Sequence, residues 1–114
     1  MQIHYLEIVT PDVAAVCATY ARRSGVTFSD PDAGLGGART APLAQGGLLG
    51  VRAPLHESEA PVVRPYLLVD DIEAATKAAV EAGAEVAHEP MALPGHGTFA
   101  ILIQGGIQHG LWQR

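Results

Sequence analysis

The residues best equipped for chemistry fall on three stretches that alternate like strands. Period-two alternation puts Tyr5, Glu7 and Val9 on one side of an N-terminal strand, and His4, Leu6 and Ile8 on the other. The same rule groups Arg64, Tyr66 and Leu68, and then Gln108, Gly110 and Trp112. Together these faces hold three aromatic rings, one acid, one base and an amide. Small-molecule sites are built this way, with apolar walls and a few polar groups that fix orientation. Glu7 is the most pointed of them. A carboxylate among apolar neighbours must be paired, protonated or wet. It can act as a general base or hold a cationic ligand, and its structural alternative is an ion pair with Arg64. Arg64 can clamp a carboxylate or phosphate. Tyr66 and Trp112 can stack on a ring or simply fill core space. His96 stands between two glycines in PGHG, where it is either an acid–base group on a hinged lid or a by-product of a tight turn.

Other reactive types carry less. His4, His56 and His88 read as edge or surface residues, and Cys17 as a small core residue on a helix stripe. The run Gly34-Leu-Gly-Gly37 is no phosphate loop, because no helix N-terminus follows it. No Ser-His-Asp order, zinc-type cysteine pairing or EF-hand loop occurs.

These residues need elements to hold them. Residues 1–9 read as a strand. Thr10 fits a helix N-cap and Pro11 a first helical position, and the helix carries Val13, Val16, Cys17 and Tyr20 to a stop at Gly25. Residues 26–32 form a short extended piece, 33–37 a glycine-rich turn, and 38–44 and 48–53 two strands joined by Gln45-Gly46-Gly47. Then the order restarts: a strand over 62–69, and a helix capped by Asp70 with Glu73 completing a capping box. Ile72, Ala75, Ala79 and Val80 line that helix, and Gly83 ends it. Strands follow over 85–90, 98–103 and 107–113, with a loop at 93–97.

Two anchors mark a duplication. Asp12 and Asp71 lie 59 residues apart, and so do Gln45-Gly46-Gly47 and Gln104-Gly105-Gly106, while Gly50 and Gly110 lie 60 apart. Each half is β-α-β-β-β: one module over about 1–54, a linker at 55–61, and a second module over about 62–114. Half a unit cannot cover both faces of its sheet, so two must pack together.

At 114 residues, 48% hydrophobic and 17% charged, the chain is one globular domain able to bury a core unaided. A net charge of −5 with scattered Lys and Arg argues against nucleic acid as a partner. No apolar run approaches a membrane span, no secretory signal is visible, and a single cysteine suits a reducing cytoplasm.

The paired modules resemble the vicinal oxygen chelate superfamily, which includes glyoxalase I, bleomycin-resistance proteins and extradiol dioxygenases. The resemblance spans the whole chain. It is carried by LEIVTPDVAA (6–15), VDDIEAATKAAVEAGAEV (69–86) and LPGHGTFAILIQGGIQHGLWQ (93–113). It implies an α+β fold in which two tandem βαβββ modules form an open eight-stranded half-barrel with helices outside and a concave ligand site. It also implies a homodimer. The superfamily's metalloenzymes carry a His near the start of each module's first strand, seven residues before the helix-start Asp, and a carboxylate or similar group on each last strand. Those positions hold Tyr5, Arg64, Gly50 and Gly110 here. Tyr is a rare ligand, Arg is always cationic, and Gly has no side chain. A shift of one residue would bring in His109, which alternation places with core Leu111.

The expectation is therefore a protein with no metal and no cofactor, of the glyoxalase/bleomycin-resistance type. It would hold a small aromatic or cationic ligand through Tyr5, Glu7, Arg64, Tyr66, Gln108 and Trp112. The alternatives are a metal-dependent lyase or dioxygenase, or a metal-free isomerase or hydrolase using Glu7 or His96. Whether it is an enzyme, and on what substrate, stays open at this level.

Overall fold

The computed structural model describes residues 1–114. Seven strands and two helices make an α+β protein with both parallel and antiparallel strand pairs. The chain divides into two compact units. The first is Tyr5–Val63. The second joins Met1–His4 to Arg64–Arg114.

In the first unit, β1 (Ile3–Val9) pairs in parallel with β3 (Leu48–Arg52), and β3 pairs antiparallel with β2 (Arg39–Pro42). The register sets Glu7 opposite Gly50. Between β1 and β2 lies α1 (Val13–Ser24). Its start falls later than Thr10 and Pro11 imply. Thr10 Oγ1 accepts from Asp12 N at 3.1 Å, a local turn that moves the N-cap to Asp12. The helix ends where expected, with Gly25 left-handed at φ 68° and its N–H on the Ala21 carbonyl. Cys17, Ile8, Leu49 and Val51 form the buried core here, packed by Val13, Val16, Tyr20 and Phe28. Cys17 is thus a core residue, and burial pushes its thiol up, away from the nucleophilic thiolate.

Eight strands were expected and seven form, because residues 26–32 stay extended without entering a ladder. The N–H groups of Ser29 and Asp32 make isolated bonds to the Thr40 and Ala38 carbonyls. Pro31 has no N–H to donate, and Asp32 instead caps a single 3-10 turn, Ala33–Leu35, through Gly34 N.

In the second unit the strand order is β4 (Val62–Leu68), β7 (Ile107–Gln113), β6 (Gly97–Gln104), β5 (Glu85–Leu93). β4 and β7 run parallel with Tyr66 opposite Gly110. The N-terminal residues belong here through Gln2, whose carbonyl accepts from Leu68 N at 2.8 Å. The helix α2 (Ile72–Glu81) is capped by Asp71, one residue beyond the expected Asp70, with Oδ1 on Ala74 N at 3.1 Å. Its buried stripe also differs. Thr76 is buried and Val80 is 47% exposed. At 100° per residue Thr76 lies about 40° from Ile72 and Val80 about 80°, so the shorter side chain takes the covered position. Ile72, Ala100, Leu102 and Leu111 are the core against which α2 packs.

β5 runs to Leu93, beyond the expected end at Pro90. It is an edge strand, where a missing N–H is tolerated, and its register shifts around His88 absorb the proline. No helix is long and apolar enough to cross a membrane.

Candidate functional site

Alternation has the same outcome in both units. One face of each sheet is sealed by its helix, and the opposite face carries the polar and aromatic residues. In the first unit that face shows Tyr5, Glu7, Gly50 and Arg52. Tyr5 is 4% exposed, and its phenol reaches along the sheet to cover Gly50. A Cβ added to Gly50 would stand 1.9 Å from Tyr5 Oη, so glycine is what lets the ring lie down. Glu7 is buried and paired within its unit to Arg52, whose Nε donates to Glu7 Oε2 at 2.9 Å. The same guanidinium closes a bidentate pair with Glu59. Nη1 donates to Oε1 at 2.8 Å and Nη2 to Oε2 at 2.7 Å, and Nη1 also reaches the Ala53 carbonyl at 3.2 Å. The Glu59 hydrogen bond raises the Arg52 pKa further, against the opposing effect of burial. The Arg52 hydrogen bond in turn holds the Glu59 carboxyl at about 2.

Arg52 and Glu59 did not figure among the expected site residues. The signal for Arg52 was present, since it stands two residues beyond Gly50 and alternation gives them one face. Glu59 lies in the linker, where no periodicity operates.

In the second unit the face carries Arg64, Tyr66, Gln108, Gly110 and Trp112. Tyr66 lies flat on Gly110, where an added Cβ would meet Cδ2 at 2.1 Å. Arg64 Nε donates to Tyr66 Oη at 3.2 Å, and Nη1 donates to Gln108 Oε1. The ring of Tyr66 meets Trp112 edge-on at 5.7 Å and Phe99 edge-on at 6.2 Å. Phe99 also lies 4.7 Å from the His88 ring. Tyr66 and Trp112 are almost wholly buried, whereas Phe99 and His88 are half-buried and Gln108 is exposed. Core filling thus accounts for most of the surface of Tyr66 and Trp112, and Phe99 and His88 form the outer tier. Strand pairing brought Phe99 here, directly opposite Trp112. Only a correct β6–β7 register would have revealed it.

For His96 the geometry describes the tight turn of its two readings. It sits in a three-residue turn, 94–96, between β5 and β6. Its N–H bonds the Leu93 carbonyl at 2.9 Å, and its own carbonyl accepts from Trp112 Nε1 at 2.9 Å. Glycine is required at 97, at φ 119°, where a Cβ would meet the Gln113 carbonyl at 2.3 Å. A turn pinned at both ends is a fixed corner, not a hinge. His4 packs its ring 5.6 Å from Trp112, and burial, then the Arg114 charge, lowers its pKa.

No group of three or more His, Cys, Asp or Glu is placed to hold an ion. The four positions that the resemblance matches to metal ligands hold a tyrosine lying on a glycine in one unit, and an arginine with a glycine under a tyrosine in the other. These residues do not fit a transition metal.

Comparison with solved structures decides the fold. A hypothetical protein, BH1468 from Bacillus halodurans C-125, superposes with a TM-score of 0.77 at 15% identity, over 99% of this chain and 94% of that one. Methylmalonyl-CoA epimerase from Mycobacterium tuberculosis gives 0.72 at 17%, covering 97% and 86%. The Streptomyces coelicolor epimerase, in complex with 2-nitronate-propionyl-CoA, gives 0.70 at 18%, covering 99% and 96%. The fold is that of the vicinal oxygen chelate superfamily. No family model matches the sequence. No curated protein matches it either.

Proposed function

We propose that this protein is a metal-independent small-molecule-binding member of the glyoxalase/bleomycin-resistance type, taking a small aromatic or cationic ligand. One observation supports this most directly: both glycine seats are roofed by tyrosine, Tyr5 over Gly50 and Tyr66 over Gly110. Each roof replaces a potential ligand atom with a ring, which converts a coordination position into a wall. In the second unit the wall continues through Trp112 to the half-buried Phe99 and His88, an outer tier on which a ring can stack. Gln108 and Arg64 supply oriented donors beside it, and Glu7 supplies a carboxylate in the first unit. The proposed ligand residues are therefore Tyr5, Glu7, Arg64, Tyr66, Gln108 and Trp112, with Phe99 added. A cytoplasmic homodimer belongs to the same proposal, and sedimentation velocity tests it.

The deciding experiment is a thermal-shift panel of small aromatic and cationic compounds, with elemental analysis of protein purified without chelator. Stabilisation of several degrees by an aromatic cation, reduced in Glu7→Gln and Arg64→Ala, is the expected result. A stoichiometric transition metal would overturn the metal-independent reading. Shifts that survive both substitutions would remove these residues from the site.

A further inference from the structure

We propose that Arg52 and Glu59 are positioning residues for Glu7, so that the linker after β3 sets the direction of the ligand-facing carboxylate. This rests on Glu7 being the ligand carboxylate and goes beyond it by adding two residues that touch no ligand.

The geometry is a three-link chain within the first unit. Arg52 is 6% exposed and donates four hydrogen bonds, one of them to Glu7 and two to Glu59. A guanidinium is planar. Once both Nη atoms are engaged by Glu59, the direction of Nε–H is fixed. That direction determines where Glu7 Oε2 can sit. Glu59 is itself held. Its Oε1 accepts from Leu55 N at 2.8 Å, and its N–H reaches the His56 carbonyl at 3.1 Å. The stem of Arg52 is walled by Gly36, left-handed at φ 67°, where an added Cβ would stand 3.2 Å from Arg52 Cδ. An eight-residue ring from Arg52 to Glu59 needs no third partner to close. The bond to Glu7, 45 residues away, is the part that a purely local linker clasp does not explain.

Glu59 is the most accessible link, with its side chain 19% exposed against 7% for Arg52. Glu59→Gln keeps the shape of the strap and removes the charge that aligns the guanidinium. Arg52→Lys keeps the charge and removes the fork. Glu59→Gln leaves the Arg52–Glu7 hydrogen bond in place and tests orientation alone, whereas Arg52→Lys also removes the Nε–H that Glu7 accepts.

The test compares benzamidinium with its neutral isostere benzamide by titration calorimetry at pH 7. The ratio of their dissociation constants reads the contribution of an oriented carboxylate. In the wild type benzamidinium binds more tightly, and Glu7→Gln abolishes the preference. Arg52→Lys and Glu59→Gln are expected to reduce the preference at least fivefold while benzamide affinity moves less than twofold. Glu57→Gln, an exposed charge on the same strap, keeps it. A merely structural role would shift both ligands together, and that result overturns the proposal. Retention of the wild-type ratio in both variants also overturns it and leaves the binding reading intact. No preference in the wild type removes the ligand role of Glu7, and this inference falls with it. If Arg52→Lys fails to fold, Glu59→Gln decides alone, with its fold checked by amide NMR.

Discussion

The two units solve one backbone problem with different side chains. Each has a glycine on its last strand, on the face away from the helix, and each covers that glycine with a tyrosine. In the second unit Tyr66 stands directly opposite Gly110 and lays its ring root on it. In the first unit the opposite residue is Glu7, and Tyr5, two residues earlier, reaches over with its hydroxyl end. At a spacing of 59 residues Tyr5 aligns with Arg64, and Glu7 with Tyr66. Ring and charge have exchanged places between the halves. Around that exchange the first unit has become ionic, organised on Arg52. The second has become aromatic, organised on Trp112.

The ionic half is the place to look for the largest effect. Arg52→Ala would leave Glu7 and Glu59 without their shared cation. A cost of about 3–5 kcal/mol is expected, measured by urea unfolding. Substituting Gly110 should come next. Gly110→Ala drives a Cβ into Cγ, Cδ2 and Cε2 of Tyr66, atoms close to the backbone that cannot swing aside, and should cost about 3 kcal/mol. Gly50→Ala meets the far end of Tyr5 and should cost roughly half as much, about 1–2 kcal/mol. Tyr5→Phe, by removing the hydroxyl nearest the new methyl, should recover part of that loss, with no counterpart rescue by Phe at Tyr66. Equal costs at the two glycines would break the comparison.

Acid should separate the halves as well. The Glu59 pKa is depressed in the folded state, so its contribution to stability is present above its unfolded value, near 4.5. It is lost as pH falls from there toward about 2. Glu59→Gln should flatten the stability–pH curve of the protein over that window, read as the urea midpoint at each pH. The smallest expected effect is in the aromatic half. Trp112→Phe removes the indole donor to the His96 carbonyl and should cost about 1 kcal/mol beyond the lost packing. Faster amide exchange in the 94–96 turn would show that this bond pins the corner.

Local chemistry was legible where a residue acts on its own neighbours. Gly25 ended α1, Gly105-Gly106 made the β6–β7 turn, and alternation put Tyr5 and Glu7 opposite Leu6 and Ile8. Legibility failed where a neighbour competed. Thr10 moved a cap to Asp12, Asp32 turned a would-be strand into a 3-10 corner, and Thr76 displaced Val80 from the buried stripe. The side chains of the site were legible as faces but not as partners.

By itself, then, the sequence determined the order of most elements and the two faces of each sheet. These depend on spacing and residue type, which a linear chain displays. The tertiary structure alone decided that Glu7 is held by Arg52, that Glu59 in the linker holds Arg52, and that Phe99 joins Trp112. Each of those contacts joins residues through strand register or a linker path. Register and linker path are fixed by the summed packing of many residues and leave no period in the sequence.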